Sequence, residues 1–291
     1  MKDGPDLLVG LDLGTTKIAV VVAEMDARSG EAQIIGVGEA PSMGIRKGMI
    51  VNLDQATRSI QAAVEDAESM VGLGIDEVTV AFSGAEATSV RTKGMISLGR
   101  SARQVTLDDV DRIIEAAQSE IAVPVNRCIL HTIPVEYTLD GHSGIDDPLD
   151  MTGVRLEVEL QSIIVPSAVI QNVVNCVGKA GLEVAGLVMK PLASSLGCLS
   201  SEEAMAGVAV VDLGGGTTGV SVFSEGRPRR LSVIPVGGDH ITNDLACVLR
   251  IPISRADALK KSVSLCPDGL GQNEKIEIES MGKTLSFSVR E

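Results

Sequence analysis

The chain has 291 residues, of which 44% are hydrophobic and 22% are charged, a composition typical of a globular protein large enough for two domains. Its formal net charge of −14 argues against binding to nucleic acid or to anionic lipid, because both carry negative charge themselves. No apolar run approaches the roughly 18 residues of a membrane-spanning helix, and no signal-peptide pattern is present. The five cysteines lack metal-ligand spacing, which favours reduced thiols in a cytosolic chain.

The N-terminal segment predicts a mixed α/β lobe. The stretches "LLVGLDLG", "KIAVVVAEM" and "AQIIGVGEAP" are rich in β-formers and separated by turn residues, which predicts an antiparallel meander. "LDQATRSIQAAVEDAESMV" follows with apolar residues at helical spacing, and "EVTVAFSG" returns as a strand. Between these elements the small basic segment "GIRKGMIV" is interpreted as a solvated loop.

The middle of the chain, from residue 85 to about 161, has a different pattern of predicted secondary structure. Short strands surround a helix that is predicted to begin with a capping box from Thr106 to Asp109, so we expect an inserted α+β subdomain. The next helix, "SAVIQNVVNCVGKAG", is predicted to have Ser167 as its N-cap and to end at Gly181.

Two similar hairpins lie about 200 residues apart. They are "VGLDLGTTKIAVVV" at 9–22 and "VVDLGGGTTGVSVF" at 210–223, and Asp12, Gly14, Thr15 and Thr16 of the first are matched to Asp212, Gly214, Thr217 and Thr218 of the second. Glycine lets backbone N–H groups approach an anion closely, and threonine hydroxyls add further donors. Two such loops that face each other would hold a polyphosphate from both sides. The candidate phosphate-binding residues are Gly14, Thr15, Thr16, Lys17, Gly214, Gly215, Gly216, Thr217 and Thr218.

An aspartate ends the buried strand before each loop. Asp12 and Asp212 would repel a phosphate, so they predict a Mg²⁺ ion between the carboxylates and the phosphate oxygens. The alternative for either hairpin alone is an ordinary glycine turn with an aspartate that stabilises it. Two matched copies favour the phosphate and metal interpretation.

The two hairpin sequences resemble the phosphate-one and phosphate-two motifs of the actin, heat-shock chaperone and sugar-kinase superfamily. That resemblance implies an actin-like two-lobed ATPase fold with ribonuclease H-like α/β lobes around ATP and Mg²⁺. The resemblance narrows to the FtsA family of bacterial cell-division proteins through "IIGVGEAPSMGIRKGMIVNLDQATRSI", "VTVAFSG" and "HTIPVEYTLDGHSGIDDPLDMTGVRLEVEL". In that family the last stretch belongs to an inserted subdomain called IC.

The resemblance implies a division into subdomains. Subdomain IA would comprise residues 1–84 and 162–205, IC residues 85–161, the start of IIA residues 206–238, and part of IIB residues 239–291. Gly237 and Gly238 would lie near the phosphates. Asp257, at a position where the family usually has Glu, and Lys260 would lie near the ribose and base; the alternative for these two is a simple ion pair on a helix face.

The family resemblance also implies a function. Such a protein would polymerise through actin-like contacts, bind FtsZ and, through IC, other division proteins, and act at the cytoplasmic face of the inner membrane at the division septum. Hydrolysis of ATP would be slow, with Asp12 holding Mg²⁺ and Asp212 orienting the attacking water. Relative to the family the sequence stops within IIB, so membrane attachment is expected to need a C-terminal amphipathic helix that this sequence lacks. "KIEIESMGKTLSFSVRE" predicts a hairpin around a turn at Gly282 instead, and we expect no strong binding of vesicles or FtsZ.

Two other classes stay open. A pilus-assembly actin homologue would share both hairpins but is expected to lack the IC stretch. A sugar-kinase relative would need a catalytic aspartate in the insertion, where the available cluster is Asp140, Asp146, Asp147 and Asp150.

Overall fold

The structure, a computed structural model, describes residues 7–26, 30–84, 86–262, 275–280 and 283–288. The strands are numbered in chain order: β1 (Leu7–Leu13), β2 (Lys17–Met25), β3 (Ala32–Pro41), β4 (Ile45–Arg46), β5 (Met49–Ile50), β6 (Glu77–Phe82), β7 (Thr88–Ser97), β8 (Arg103–Gln104), β9 (Arg127–Leu139), β10 (His142–Ile145), β11 (Thr152–Gly153), β12 (Arg155–Pro166), β13 (Glu183–Met189), β14 (Val208–Leu213), β15 (Thr218–Ser224), β16 (Arg227–Ile234), β17 (Lys275–Ser280) and β18 (Lys283–Ser288).

The helices lie between groups of these strands. They are α1 (Leu53–Val71), α2 (Leu107–Ser119), α3 (Ser167–Lys179), α4 (Lys190–Cys198), α5 (Ser201–Ala206), α6 (Gly238–Leu249) and α7 (Ile253–Ser262). Among the described residues, none of the helices combines the length and the apolar composition that a membrane-spanning helix needs.

The first lobe is a five-stranded sheet in the order β13-β6-β1-β2-β3, with α1 and α3 packed on it. The predicted meander is confirmed, because β1, β2 and β3 pair antiparallel, while β6 and β13 add to β1 in parallel. Alternate strand residues such as Leu11, Ile18 and Val20 are buried against Ile60 of α1 and Val177 of α3. This apolar core fixes the edge of the sheet at which the first glycine loop emerges.

The inserted segment forms a second, antiparallel sheet in the order β10-β9-β12-β7, covered by α2. The predicted capping box is confirmed: the Thr106 hydroxyl accepts from the Asp109 N–H, and the Asp109 carboxylate accepts from the Thr106 N–H at 3.0 Å. Arg103 also donates two hydrogen bonds to Asp109, at 2.6 and 2.7 Å. These bonds hold the pKa of the Asp109 carboxyl well below its ordinary range.

The second lobe comprises the sheet β14-β15-β16 and the helix pair α6 and α7. Helix α4 begins at the end of β13 in the first lobe and contacts all three strands of the second lobe. The last two strands, β17 and β18, pair antiparallel, which confirms the predicted C-terminal hairpin; the predicted Gly282 turn lies outside the described residues.

The structure confirms some of the predicted helix ends and corrects others. Helix α1 is capped by Asn52, whose side-chain oxygen accepts from the Gln55 N–H at 3.0 Å. The prediction of Ser167 as the N-cap of α3 is wrong: Pro166 occupies the cap position, and Ser167 is the first helical residue, whose N–H donates to the Asn126 carbonyl oxygen. Gly181 has a φ of 93°, as expected for a glycine that ends a helix.

Candidate functional site

The two hairpins have the same architecture. In the first, Asp12 pairs with Ala19 and Leu13 with Ile18; in the second, Asp212 pairs with Gly219 and Leu213 with Thr218. The loops between the paired residues therefore have equal length, and every residue of the first hairpin corresponds to the residue 200 positions later in the second. The matched positions of Asp12 and Asp212, and of the first loop glycines, are confirmed by this register.

The predicted match between the threonines is wrong. In the register of the strands, Thr15 and Thr16 correspond to Gly215 and Gly216, and Thr217 corresponds to Lys17. Two extra glycines in the second loop shift the threonine pair to the last loop position, Thr217, and the first residue of β15, Thr218. Sequence similarity alone matched residue types, whereas strand pairing fixes which residues share a position.

The structure brings the two loops into direct contact. A Cβ atom built on Gly215 would lie 2.0 Å from Oγ1 of Thr16, and one built on Gly216 would lie 2.7 Å from Oγ1 of Thr15. Only residues without side chains can lie at this distance, so the glycines of the second loop leave room for the threonines of the first. The hydroxyl and amide donors of both loops therefore converge on one place.

The turn between β4 and β5 covers this place. The N–H of Gly48 donates to Oγ1 of Thr15 at 3.3 Å, and a Cβ atom on Gly48 would lie 2.5 Å from Cβ of Ser83. The Lys47 N–H group lies beside Gly216, and Ser83 bonds to Thr217 through their hydroxyls at 3.1 Å. The interpretation of "GIRKGMIV" as a solvated loop holds for the side chains of Arg46 and Lys47, which are exposed. It is wrong for the backbone of this segment, which contacts the loops of both hairpins.

The N-terminus of α6 is attached to the second loop. The N–H groups of Gly238 and Asp239 donate to the carbonyl oxygens of Gly214 and Gly215 at 3.0 and 2.8 Å. A Cβ atom on Gly237 would lie 2.4 Å from the Gly214 carbonyl oxygen, so this approach requires glycine. The predicted site residues of α6 thus adjoin those of the hairpin.

Lys260 links α7 to the same helix terminus. Its ammonium donates to Oγ1 of Thr242 at 2.8 Å and to the Gly238 carbonyl oxygen at 3.3 Å. It also lies 3.0 Å from a carboxylate oxygen of Asp257, so the ion pair that the sequence allowed is present. The structure therefore places Asp257 and Lys260 beside Gly238.

The carboxylates before the loops have specific partners. The ammonium of Lys190, the first residue of α4, lies 2.7 Å from Oδ1 of Asp12, and the Ser194 hydroxyl donates to Oδ2 of Asp212 at 3.0 Å. Burial raises the pKa of the Asp12 carboxyl; the Lys190 ammonium opposes the rise, and the charge of Asp212 adds to it.

The remaining predicted donors have protein partners in this structure. Lys17 pairs with Glu39 at the exposed surface of β2 and β3. The hydroxyl of Thr218 donates to the Val236 carbonyl oxygen at 2.7 Å, and Thr217 is buried. Sequence reasoning missed two residues at this place, Lys190 and Asp239. The two carboxylate oxygens of Asp239 would lie 3.0 and 3.2 Å from a Cβ atom on Gly215. Asp239 directly follows Gly237 and Gly238, which the family resemblance placed near the phosphates, whereas no local sequence signal points to Lys190 and only the tertiary fold brings it to the loops.

The residues fit a phosphate group better than a metal ion. Backbone amides, hydroxyls and the ammonium of Lys190 are suitable phosphate donors. The buried Oδ1 of Asp12 already faces an ammonium, so a directly bound metal would have to displace Lys190.

A separate apolar groove lies between α3 and β13. It has a volume of about 540 Å³ and is lined by residues such as Leu130, Val174 and Leu187. Its lining includes no residue of either hairpin and little that could bind a phosphate. We therefore assign the candidate site to the hairpins and not to this groove.

Solved structures share the two-lobed architecture. One described as "PilM-PilN type IV pilus biogenesis complex" matches with a TM-score of 0.63 and 15% identity over 88% of this chain and 69% of that one. MreB5 of Spiroplasma citri bound to ADP matches with a TM-score of 0.51 and 14% identity over 98% and 72%. The predicted fold is confirmed: this is a protein of the actin-like ATPase fold, with an additional inserted subdomain.

Sequence comparison defines the family more narrowly. Residues 84–164 match the family described as "SHS2 domain inserted in FTSA", and residues 209–290 match "Cell division protein FtsA". The protein named cell division protein FtsA from Pseudomonas aeruginosa is 36% identical to this chain, over 95% of this chain and 66% of that protein. The protein of the same name from Borreliella burgdorferi is 38% identical, over 95% of this chain and 67% of that protein. The chain belongs to the FtsA family of cell division proteins. It spans about two thirds of the length of these relatives.

Proposed function

We propose that this chain binds ATP between its two glycine hairpins and serves as an actin-like component of the cell-division apparatus. As a member of the FtsA family the protein would polymerise through actin-like contacts. Together with a C-terminal amphipathic helix of the kind expected in the family, it would link FtsZ filaments to the cytoplasmic face of the inner membrane at the septum. The main support for ATP binding is the contact between the two hairpins, which have the same strand register and place Gly215 against Thr16. The MreB5 neighbour bound to ADP, which has the same fold, is consistent with a nucleotide there.

Each group of residues has a proposed role. The backbone N–H groups of the two loops, 14–16 and 215–217, would donate to the phosphate oxygens, whereas the Gly214 N–H already donates to the Thr217 carbonyl oxygen. Lys17 and Thr218 would contact the phosphates after exchanging their present partners. Gly237 and Gly238 would let the start of α6 approach the phosphates, where the positive end of the helix dipole favours an anion. Asp257 and Lys260 would contact the ribose and base.

Hydrolysis, where it occurs, would depend on Asp212. The hydrogen bond from Ser194 holds its carboxylate in one orientation, which suits a group that orients a water molecule for attack on the terminal phosphate. The Mg²⁺ ion that the sequence predicts between Asp12 and Asp212 stays a prediction, since Asp12 is paired with Lys190. No step of this proposal depends on the metal.

We also propose the subdomain division implied by the family: IA at 1–84 and 162–205, IC at 85–161, IIA from 206 and IIB from 239. The sheet β10-β9-β12-β7 with α2 would be the IC unit that contacts other division proteins. The boundary at 161 falls within β12, which pairs with β7 and β9 on both sides of that residue. IA and IC would therefore share a continuous strand and move as one body.

The kinase alternative is disfavoured by what the candidate aspartates do. The carboxylate of Asp140 accepts from the N–H groups of Val154 and Arg155, and Asp146 pairs with Arg227. Carboxylates engaged in this way stabilise a loop and are poor candidates for a catalytic base. The pilus-type alternative has the fold likeness alone in its favour, whereas the match over 84–164 favours the FtsA family.

Calorimetric titration of the 291-residue chain with ATP tests the proposed function. We expect saturable binding of ATP, and binding of AMP at least about tenfold weaker, because AMP lacks the β- and γ-phosphates that the loops would hold. The same samples are assayed for phosphate release and for transfer to small hydroxylated acceptors. Equal affinity for AMP and ATP would contradict phosphate binding by the loops, and efficient transfer would favour a kinase.

A further inference from the structure

The side chain of Lys190 lies against the first glycine loop although it is distant from that loop in sequence. Its side chain is 18% exposed, its Nζ is 2.7 Å from Oδ1 of Asp12, and a Cβ atom on Gly14 would lie 3.6 Å from the same Nζ. The lysine follows the last residue of β13 directly, and β13 is joined to β1 through β6. The sheet therefore delivers the ammonium to the edge from which the loop emerges.

This position is electrostatically unfavourable for the charge of a lysine unless the carboxylate of Asp12 offsets that cost. Lys190 begins α4, and the unpaired N–H groups at a helix N-terminus repel a cation. Partial burial of an ammonium adds a desolvation cost, which is offset only by a close partner of opposite charge. Oδ1 of Asp12 is such a partner: the atom itself is shielded from solvent although 42% of the side chain is exposed, and it forms an ion pair with Lys190 at 2.7 Å.

The local charge balance indicates what the lysine does. Asp12, Asp212 and Asp239 all lie around the two loops, and each would repel a polyphosphate. A divalent cation is the usual solution to such repulsion. Here the ammonium of Lys190 already lies next to Asp12 and close to the backbone of Gly14, where a phosphate bound by the first loop would approach.

We propose that Lys190 is the resident cation of this phosphate site, holding the place beside Asp12 that a metal ion would take and donating to the bound phosphates. This inference rests on the proposed binding of ATP between the hairpins. Its consequence is that the affinity for ATP depends little on Mg²⁺. Asp12 positions the lysine and neutralises it while the site is empty.

The test compares ATP affinity in EDTA and in excess MgCl₂ for four proteins: the unaltered chain, Lys190→Gln, Lys190→Arg and the control Lys179→Gln. Lys179 is an exposed lysine of α3 that pairs with Asp54 at 3.5 Å, away from the loops. We expect the unaltered chain and the control to differ by less than about threefold between the two conditions. Lys190→Gln should lose about tenfold or more in EDTA and recover in MgCl₂, since the freed Asp12 can then face the metal. Lys190→Arg should behave as the unaltered chain.

Two results would overturn the inference: strong Mg²⁺ dependence of the unaltered chain, or no change in EDTA for Lys190→Gln. If no protein binds ATP in either condition, the proposed function fails, and Mn²⁺ titration followed by electron paramagnetic resonance decides on Lys190 separately. In that assay the nucleotide-free Lys190→Gln chain should gain a Mn²⁺ site that the unaltered chain lacks and that Lys190→Gln/Asp12→Asn loses. Absence of this gain also overturns the inference.

Discussion

Replacing Gly38 with valine is expected to lower the midpoint of thermal unfolding by about 10 °C, which corresponds to roughly 3 kcal/mol for a protein of this size. Gly38 lies in β3 where α1 packs directly on the strand. A Cβ atom there would lie 2.1 Å from the Ala63 carbonyl oxygen and 2.4 Å from the Ala67 nitrogen. Both are backbone atoms of the helix, so no side-chain rotation can relieve the overlap, and the helix must move away from the sheet.

The matched control is Gly10→Val in the neighbouring part of the same sheet. Gly10 lies in β1, and a Cβ atom there would meet no other atom within 4 Å. Valine suits a strand, so this variant should unfold within a few degrees of the unaltered chain. Similar melting temperatures for both variants would show that α1 does not pack on Gly38 as described.

Gly215→Val is expected to weaken ATP binding at least tenfold, or about 1.4 kcal/mol, in a chain that remains folded. The new Cβ atom would lie 2.0 Å from Oγ1 of Thr16 and 3.0 Å from a carboxylate oxygen of Asp239. Thr16 can rotate away, but the branched side chain then fills the place where both loops present their donors. Isothermal titration measures the loss directly.

Gly186→Val serves as the control for this substitution. Gly186 lies in β13, where the nearest atoms to a new Cβ belong to Thr79 at the ordinary contact distance of 3.8 Å. We expect this variant to bind ATP as the unaltered chain does. An unchanged affinity for folded Gly215→Val would remove the second loop from the phosphate site.

The sequence predicted the elements whose signals are local. The meander, α1, the capping box of α2 and both glycine hairpins follow from periodicity and turn residues within a few positions of one another. The aspartate and first glycine of each hairpin were also matched correctly, because each marks the end of a strand. The family resemblance depended on longer stretches, two in the first lobe at 34–60 and 78–84 and one in the inserted segment at 131–160.

The sequence did not predict contacts between distant parts of the chain. Lys190 reaches Asp12 only because β13 and β1 belong to the parallel part of one sheet, and a single lysine after a strand gives no local sign of this. The turn at Gly48 likewise reaches the loops only through the tertiary fold. The Ser167 cap failed for a different reason, since Pro166 already fixes the backbone geometry that begins α3.

Residue-resolved amide hydrogen exchange of the chain with and without saturating ATP tests most directly whether the nucleotide lies between the hairpins. Exchange at the loop amides, 14–16 and 215–217, should slow by at least about tenfold, because these N–H groups would donate to phosphate oxygens. Amides beside the apolar groove, such as those of Gly178 and Gly186, should be unaffected. Protection confined to the groove, or no protection of either loop at saturating ATP, would contradict binding between the hairpins.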